Sequence, residues 1–353
     1  MKLRTKMTLL LALPVALGLI GMSVAIGFSV AGSVRSTVLD LSLLTAEARS
    51  AEIGRWIDGH LNNIKRSANH PEMMSGDADR IRAYVVSRNR NLPKDINFEY
   101  YSDRSGRFFT SAGASGDLSA RDYFKRLMGG AEWVVSEGLV SLATGLQETY
   151  MAVPLKDSSG AVIGMYAASV RLDTLSGIVS GITFGKAYAA IVDSTLNTIA
   201  HPNKEFIMKL NLSEPQKLGF RNLEGAVEGM RAQKPGSQRY WDAEGVEKYM
   251  VYAPIPYSQG WNMTMVIPAD QINEAATLTV RLLASIATTV VLLLIVLILV
   301  SISRMVAPIT LVAQISLRLS EGTLYLDDAT RARFDAAARG KDEVGDVVRA
   351  MGT

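Results

Sequence analysis

The sequence predicts an α+β domain looped out between two membrane-length helices and followed by a helical segment. Three observations predict it: apolar runs at 9–30 and 282–302 within the expected spans 9–31 and 280–302, strand-like stretches joined by turn signals between 98 and 267, and apolar residues at helical spacing after 303. The run 282–302 holds no ionisable group, and at ~1.5 Å per residue it is long enough for a ~30 Å hydrocarbon core.

Charges flanking the runs assign the sides, because Lys and Arg near a span end stay cytoplasmic. Lys2, Arg4 and Lys6 lie in a short tail, 1–8, and Arg304 and Arg318 follow the second run, so both ends read as inside and 32–279 as outside. Arg35 and Arg281 count against this without reversing it. A cleaved leader is the competing reading of the first run, with Ser29-Val30-Ala31 at the cut, although the apolar stretch exceeds a usual leader core. The expected location is the inner (cytoplasmic) membrane, with the lipid bilayer as a partner.

Of 353 residues, 48% are hydrophobic and 20% charged, and the net charge of +3 comes without a Lys/Arg run, which argues against a nucleic-acid partner. The absence of cysteine excludes disulfides, a thiol nucleophile and thiolate metal sites. His60, His70 and His201 are far apart, with no metal-ligand spacing. No metal or cofactor is therefore expected.

Residues 34–69 read as one helix, with Leu41, Leu44, Ala48, Ala51, Trp56, Leu61 and Ile64 near a 3.6 period and His70-Pro71 as the stop. Rising from the first span, it suits both a domain spine and a homodimer contact. Phe98 to Tyr101 and Arg107 to Thr110 flank Ser-Asp-Arg-Ser-Gly, a hairpin signal. Strands are expected again at 133–136, 148–154 and 161–170, the last two joined by Asp157-Ser158-Ser159-Gly160, which together predict an antiparallel meander over about 80–171. A helix at 172–181 leads to a second, smaller lobe at about 182–267, with strands at 187–192, 198–200, 249–253 and 262–267. The expectation is two sheet-bearing lobes on one spine.

These residues carry a resemblance. Leu118-Ser119-Ala120-Arg121-Asp122-Tyr123-Phe124, Val135-Ser136-Glu137, Thr144-Gly145 before a strand, and Val153-Pro154 before a Gly-containing turn resemble the double Cache sensor domain of bacterial chemoreceptors and sensor kinases. The end of the chain, 303–353, resembles a HAMP signal-relay module. There Pro308 opens a first helix, Gly322 with Leu324 and Leu326 resembles the connector, and Asp342-Glu343-Val344-Gly345 opens a second helix. Met305, Ile309, Val312 and Leu319, then Val344, Val347 or Val348, and Met351, mark seams for a parallel bundle, interrupted by Ser316. The stretch 325–341 is longer than the family's connector, and the chain stops early in the second helix.

The resemblance implies a chemoreceptor's sensory and relay portion, with a histidine kinase or diguanylate cyclase sensor as the alternative and the cytoplasmic output module lying outside this chain. It also implies a ligand site. Arg121 matches the family's carboxylate-binding arginine, and its planar fork suits two parallel bonds. Tyr123 and Phe124 stand where the family has aromatics. Ser141 and Ser169 stand where amino-acid binders carry the amine-binding aspartates and bring no negative charge, so a small carboxylate or other polar solute is favoured and an amino acid disfavoured. Trp133, Glu137, Thr149, Met151 and Tyr166 are further lining candidates by strand phase. In the competing reading, Arg121 is a surface residue paired with Asp117 or Asp122. An extracytoplasmic hydrolase is the remote alternative, since no nucleophile elbow or phosphate-cradling loop occurs.

Overall fold

In the computed structural model, residues 3–320, 328–340 and 343–351 are described. The chain forms two compact units, Val34–Glu274 and, separately, Met1–Ser33 with Ala275–Thr353.

Helix α1 spans Leu3–Ala68. Within the first unit its buried stripe is Ala46, Ile53, Ile57, Leu61, Ile64 and Ala68, at steps of three, four and seven that keep one face toward the sheets. Small residues start this stripe, and Gly54 packs so closely on Pro256 that a Cβ would come to 2.9 Å from its ring. Leu41 and Leu44, expected on the packed face, are instead 59% and 61% exposed, because the stripe runs through Ser42, Ala46 and Ser50. Pro71 stops the helix and opens α2 (Pro71–Met74), capped by the His70 ring, which accepts from the Glu72 N–H. Helix α3 (Ala78–Arg88) follows, capped by Asp77.

The distal lobe is built from β1 (Phe98–Asp103), β2 (Arg107–Thr110), β3 (Ser115–Asp117), helix α4 (Asp122–Met128), β4 (Val134–Val135), β5 (Leu139–Val140), β6 (Gln147–Lys156) and β7 (Val162–Arg171). Its strand order is β3-β2-β1-β7-β6-β4, with β5 also on β6. The expected meander is thus corrected: the last strand returns to pair with the first, Tyr100 opposite Ala167, because the α4 crossover carries the chain past the sheet between its two hairpins. The predicted turns hold. Asp103 accepts from the Ser105 and Arg107 N–H groups, and Gly106 has a φ of 94° where a Cβ would strike the Ser119 backbone.

Helix α5 (Leu172–Ser180) leads to the proximal lobe, made of β8 (Thr183–Phe184), β9 (Ala187–Val192), β10 (Thr198–Ala200), helix α6 (Glu224–Arg231), β11 (Gly236–Trp241), β12 (Glu247–Pro254) and β13 (Asn262–Pro268). The order is β10-β9-β13-β12-β11, with β8 on β9. Strand β11 was not expected: as an edge strand it is largely solvated, and Gly-Ser-Gln-Arg lacks an apolar alternation.

Strand β13 runs into α7 (Ala269–Ser320). The first turn of α7 is tied to the proximal lobe: Lys186 pairs with Asp270 at 2.7 Å, and Gln271 donates to the Phe184 carbonyl. Helix α7 continues through Pro308, correcting the expectation that this proline opens a new helix. A proline interior to a helix forfeits one backbone bond but need not end it. The expected connector 325–341 contains helix α8 (Asp328–Ala338), and α9 spans Glu343–Met351, with Val344 and Gly345 in its first turn. Gly322, Leu324, Leu326 and Asp342 lie outside the described residues. Of the alternative seam positions, Val348 is buried and Val347 is exposed. Two helical stretches, Leu13–Ala68 and Ala269–Ile302, are long and apolar enough to cross a membrane, with best-window mean hydropathies of 2.0 and 3.0.

Candidate ligand-binding site

Strand alternation sorts the distal sheet into two faces. Phe98, Tyr100, Tyr150, Ala152, Met165 and Ala167 face α4, whereas Met151, Val153, Tyr166, Ala168 and Val170 join the core shared with the spine helix. The alanines opposite Tyr100 leave room for its ring.

Over the first face a pocket is lined by Phe98, Tyr100, Phe108, Leu118, Arg121, Tyr123, Leu139, Leu142, Ala143 and Tyr150. Arg121 is the N-cap of α4 and is half-buried; its guanidinium donates to the Val140 carbonyl at 3.0 Å, and among the described residues it pairs with neither Asp117 nor Asp122. The rings pack on one another. Tyr123 and Tyr150 stack with centroids 5.4 Å apart, Tyr100 meets Tyr150 edge-on at 5.5 Å, and the Tyr100 hydroxyl donates to that of Tyr123 at 3.1 Å. The enclosed space is only about 10 Å³, roughly the room for one water. Leu139, Leu142 and Ala143 of the segment 139–146, which also carries exposed Val140 and Leu146, close this space on one side.

Burial raises the phenol of Tyr123 to about 12 and pushes those of Tyr100 and Tyr150 up as well, so all three are neutral donors near pH 7. Behind them lies Glu148, fully buried. Its carboxylate accepts from Asn97 Nδ2 at 2.7 Å, Thr144 Oγ1 at 2.9 Å, Tyr150 OH at 2.9 Å and Ser169 Oγ at 2.7 Å. The Tyr150 hydroxyl also sits 2.8 Å from Ser141 Oγ; having one proton, it donates to the carboxylate and accepts from the serine. The two serines that bring no charge of their own are therefore grouped around a carboxylate that strand phase alone did not single out.

The ten candidate residues fall into four groups. Arg121 and Tyr123 line the pocket, and Ser141 and Ser169 adjoin it through Tyr150 and Glu148. Phe124 is in the core beneath α4. Trp133 and Glu137 stand where the lobes meet: Trp133 Nε1 donates to the Tyr257 carbonyl, and Glu137 takes Ser194 Oγ at 2.7 Å and Arg126 at 3.5 Å. Thr149, Met151 and Tyr166 point to the opposite face, Tyr166 donating to Glu99, which Arg88 clamps with two bonds. Thr149, Met151 and Tyr166 are set apart from the pocket because neighbouring strand positions alternate faces, and Trp133 and Glu137 because they lie beside β4 at the junction of the lobes. Phe98, Tyr100, Phe108 and Tyr150 were legible only as aromatic strand residues, and their i, i+2 spacing in β1 was the available signal.

Comparison with known proteins adds the following. A family model, described as Cache domain, matches residues 29–276. The methyl-accepting chemotaxis protein McpA of Pseudomonas putida is 22% identical over 252 residues, 69% of this chain and 36% of that protein, so the chain spans about a third of this curated relative's length. Among solved structures, the extracellular domain of a putative histidine kinase, mmHK1S-Z3, aligns with a TM-score of 0.58 at 16% identity, covering 67% of this chain and 97% of that one. The ligand-binding domain of the Pseudomonas fluorescens chemoreceptor CtaA, in complex with L-isoleucine, aligns with a TM-score of 0.56 at 17% identity, covering 69% and 98%. That of the Pseudomonas aeruginosa PAO1 amino acid chemoreceptor PctB, in complex with L-Arg, gives 0.53 at 16%, covering 67% and 97%. At these identities the likeness is one of fold: a long first helix and two antiparallel sheets.

Proposed function

The chain belongs to the Cache-domain family, whose similar members here include chemoreceptor ligand-binding domains and the extracellular domain of a putative histidine kinase, and from that premise we propose that it senses a small solute outside the cell and relays the event inward. In this reading 9–31 and 280–302 cross the inner membrane, 32–279 is the extracytoplasmic sensor, and 303–353 is a HAMP relay that hands the signal to a chemotaxis output. The two apolar helices and the flanking charges support the threading. The exposed stripe of Leu41 and Leu44 supports a homodimer along the spine. A kinase output is the second reading, favoured by the fold shared with a putative histidine kinase.

The observation that carries the proposal is the pocket itself: one guanidinium at a helix start above a wall of neutral tyrosines, closed by a short segment hung from Glu148. Arg121 suits a carboxylate. The case against an ammonium group rests on the missing charge at Ser141 and Ser169; Glu148, buried behind Tyr150 and bonded to Ser169, puts a carboxylate beside those serines and weakens that case. A carboxylate-bearing solute, amino acids included, is the class we assign to the pocket. Ligand capture would order 139–146 and shift α4, and β13 would pass the change to α7; a differential affinity of a few kcal/mol is enough to shift such a balance.

Thermal denaturation of the full chain in detergent, across a panel of carboxylates and amino acids, tests this. A binder raises the melting temperature without being consumed. Arg121→Ala should keep the fold and weaken binding about tenfold to a hundredfold, the worth of one charged contact of ~1.5–3 kcal/mol. Unchanged affinity would remove Arg121 from the site.

A further inference from the structure

A second cleft lies in the proximal lobe beside its junction with the distal one, with a volume of about 420 Å³ against about 10 Å³ between the distal tyrosines. Its wall is held in an unfavourable conformation. Leu196, Gln233 and Gln259 have φ of 63°, 53° and 59°, a left-handed region that side chains other than glycine rarely adopt. Each is braced by neighbours: Leu196 by the turn bond to Asp193, Gln233 by donation to the Met230 and Gly260 carbonyls, and Gln259 by contacts across the junction. A braced wall is preorganised rather than pliable.

One buried polar group behind this wall is unmet, and one charged group on it has no ion pair among the described residues. Asn262, fully buried at the start of β13, donates to the carbonyls of the wall residues Met230 and Gly260, while its Oδ1 has no hydrogen-bond partner, alone among buried side-chain N and O atoms of the described residues. Flipping the amide would set that oxygen against two carbonyls, so the geometry fixes the assignment. A buried acceptor without a donor is ordinarily met by water or a bound molecule. Arg231, exposed at the end of α6, lines the cleft and has no ion-pair partner among the described residues. The negative group at the rim, Glu137, is offset by Arg126 at 3.5 Å. The cleft thus offers an uncompensated guanidinium, and such a fork matches a carboxylate.

We propose that this cleft is a second solute site, taking a small carboxylate on Arg231, and that its occupant adjusts the coupling between the lobes. Gln259 is the reason. While lining the cleft it also accepts from Arg126 at 2.8 Å and from the Val135 N–H at 3.4 Å, and donates to the Trp133 carbonyl at 2.8 Å. Arg126 belongs to α4, the helix that presents Arg121 and Tyr123 to the distal pocket. On the other side, Gly260 leads through Asn262 into β13 and so to α7. An occupant here touches the link between the pocket-bearing helix and the strand that feeds the second apolar helix. The site stands on the cleft alone; its regulatory effect rests on the sensor reading above.

Isothermal titration of the full chain in lipid nanodiscs with succinate and with malate tests it, using wild type, Arg231→Gln and Arg121→Gln. Binding by wild type, weakened about tenfold or more in Arg231→Gln and kept in Arg121→Gln, is expected. No heat of binding in wild type at millimolar ligand, or an unchanged isotherm in Arg231→Gln, overturns the site. Loss confined to Arg121→Gln assigns the carboxylate to the distal pocket, which supports the sensor reading and overturns this one. Hydrogen exchange in β13 should slow on succinate addition in wild type and not in Arg231→Gln. Binding with unchanged exchange overturns the regulatory half.

Discussion

Asp193 joins the lobes with a single carboxylate. One oxygen accepts from the Thr195 and Asn197 N–H groups and the Thr195 hydroxyl, making the turn after β9, and the other takes the Gly138 N–H of the distal lobe at 3.1 Å. Burial nevertheless holds its pKa above the ordinary aspartate value, the hydrogen bonds opposing without prevailing. A raised folded-state pKa contributes stability that is fully present below the unfolded value, ~3.9, and is lost as pH rises through the folded one. Asp193→Asn keeps the turn acceptor but sets an N–H against the Gly138 N–H. Its melting deficit relative to wild type should be greatest near pH 4 and shrink toward pH 7; a deficit that grows with pH would reverse the sign argued here. The turn carboxylates Asp103 and Asp157, held low by burial-opposed and exposed hydrogen bonding respectively, act in the opposite direction, losing their contribution as pH falls. Comparing mutant with wild type isolates Asp193 from them. Its turn is closed by bonds within five residues, Asp193 to Asn197, whereas its contact with Gly138 joins residues 55 apart, which no local pattern specifies.

Among the elements, the spine helix depends on close approach more than on large side chains. Gly54 faces Pro256, and Ser50 donates to the Ala253 carbonyl, so α1 lies against the end of β12 with little between them. Gly54→Val would drive its side chain into the proline ring, and overpacking of this kind costs ~1–3 kcal/mol. A lowered melting temperature is expected, and an unchanged one would mean that the segment after β12 yields freely. Periodicity found this helix and its stop at His70-Pro71, yet set its first packed turns on the leucines. Apolar residues are a good guide to burial only where space exists for them; where backbones nearly touch, serine, alanine and glycine take the inner face and leucines the outer. The hairpins were legible for a different reason. Asp-x-Ser-Gly turns are fixed by bonds within five residues, so no distant partner is needed to specify them.

For the whole molecule, the proposed threading is open to a direct test because the chain has no cysteine. Single cysteines at Glu244, in an exposed turn of the proximal lobe, and at Val347, exposed on α9, give unique labels. In intact spheroplasts a membrane-impermeant maleimide should label Glu244→Cys and leave Val347→Cys unlabelled until lysis. Labelling of both before lysis would end the transmembrane relay, although the distal pocket and proximal cleft would remain as binding sites.

What the sequence determined alone follows from short-range physics: two apolar runs, the spine helix, and most of the longer strands with their turns. Each is specified by composition or spacing within a few residues. Tertiary structure decided which face each strand residue takes, that β7 returns to β1, that Glu148 stands behind Ser141 and Ser169, and that Gln259 reaches Arg126. Those contacts join residues far apart in the chain, and only packing, which no local pattern encodes, selects them.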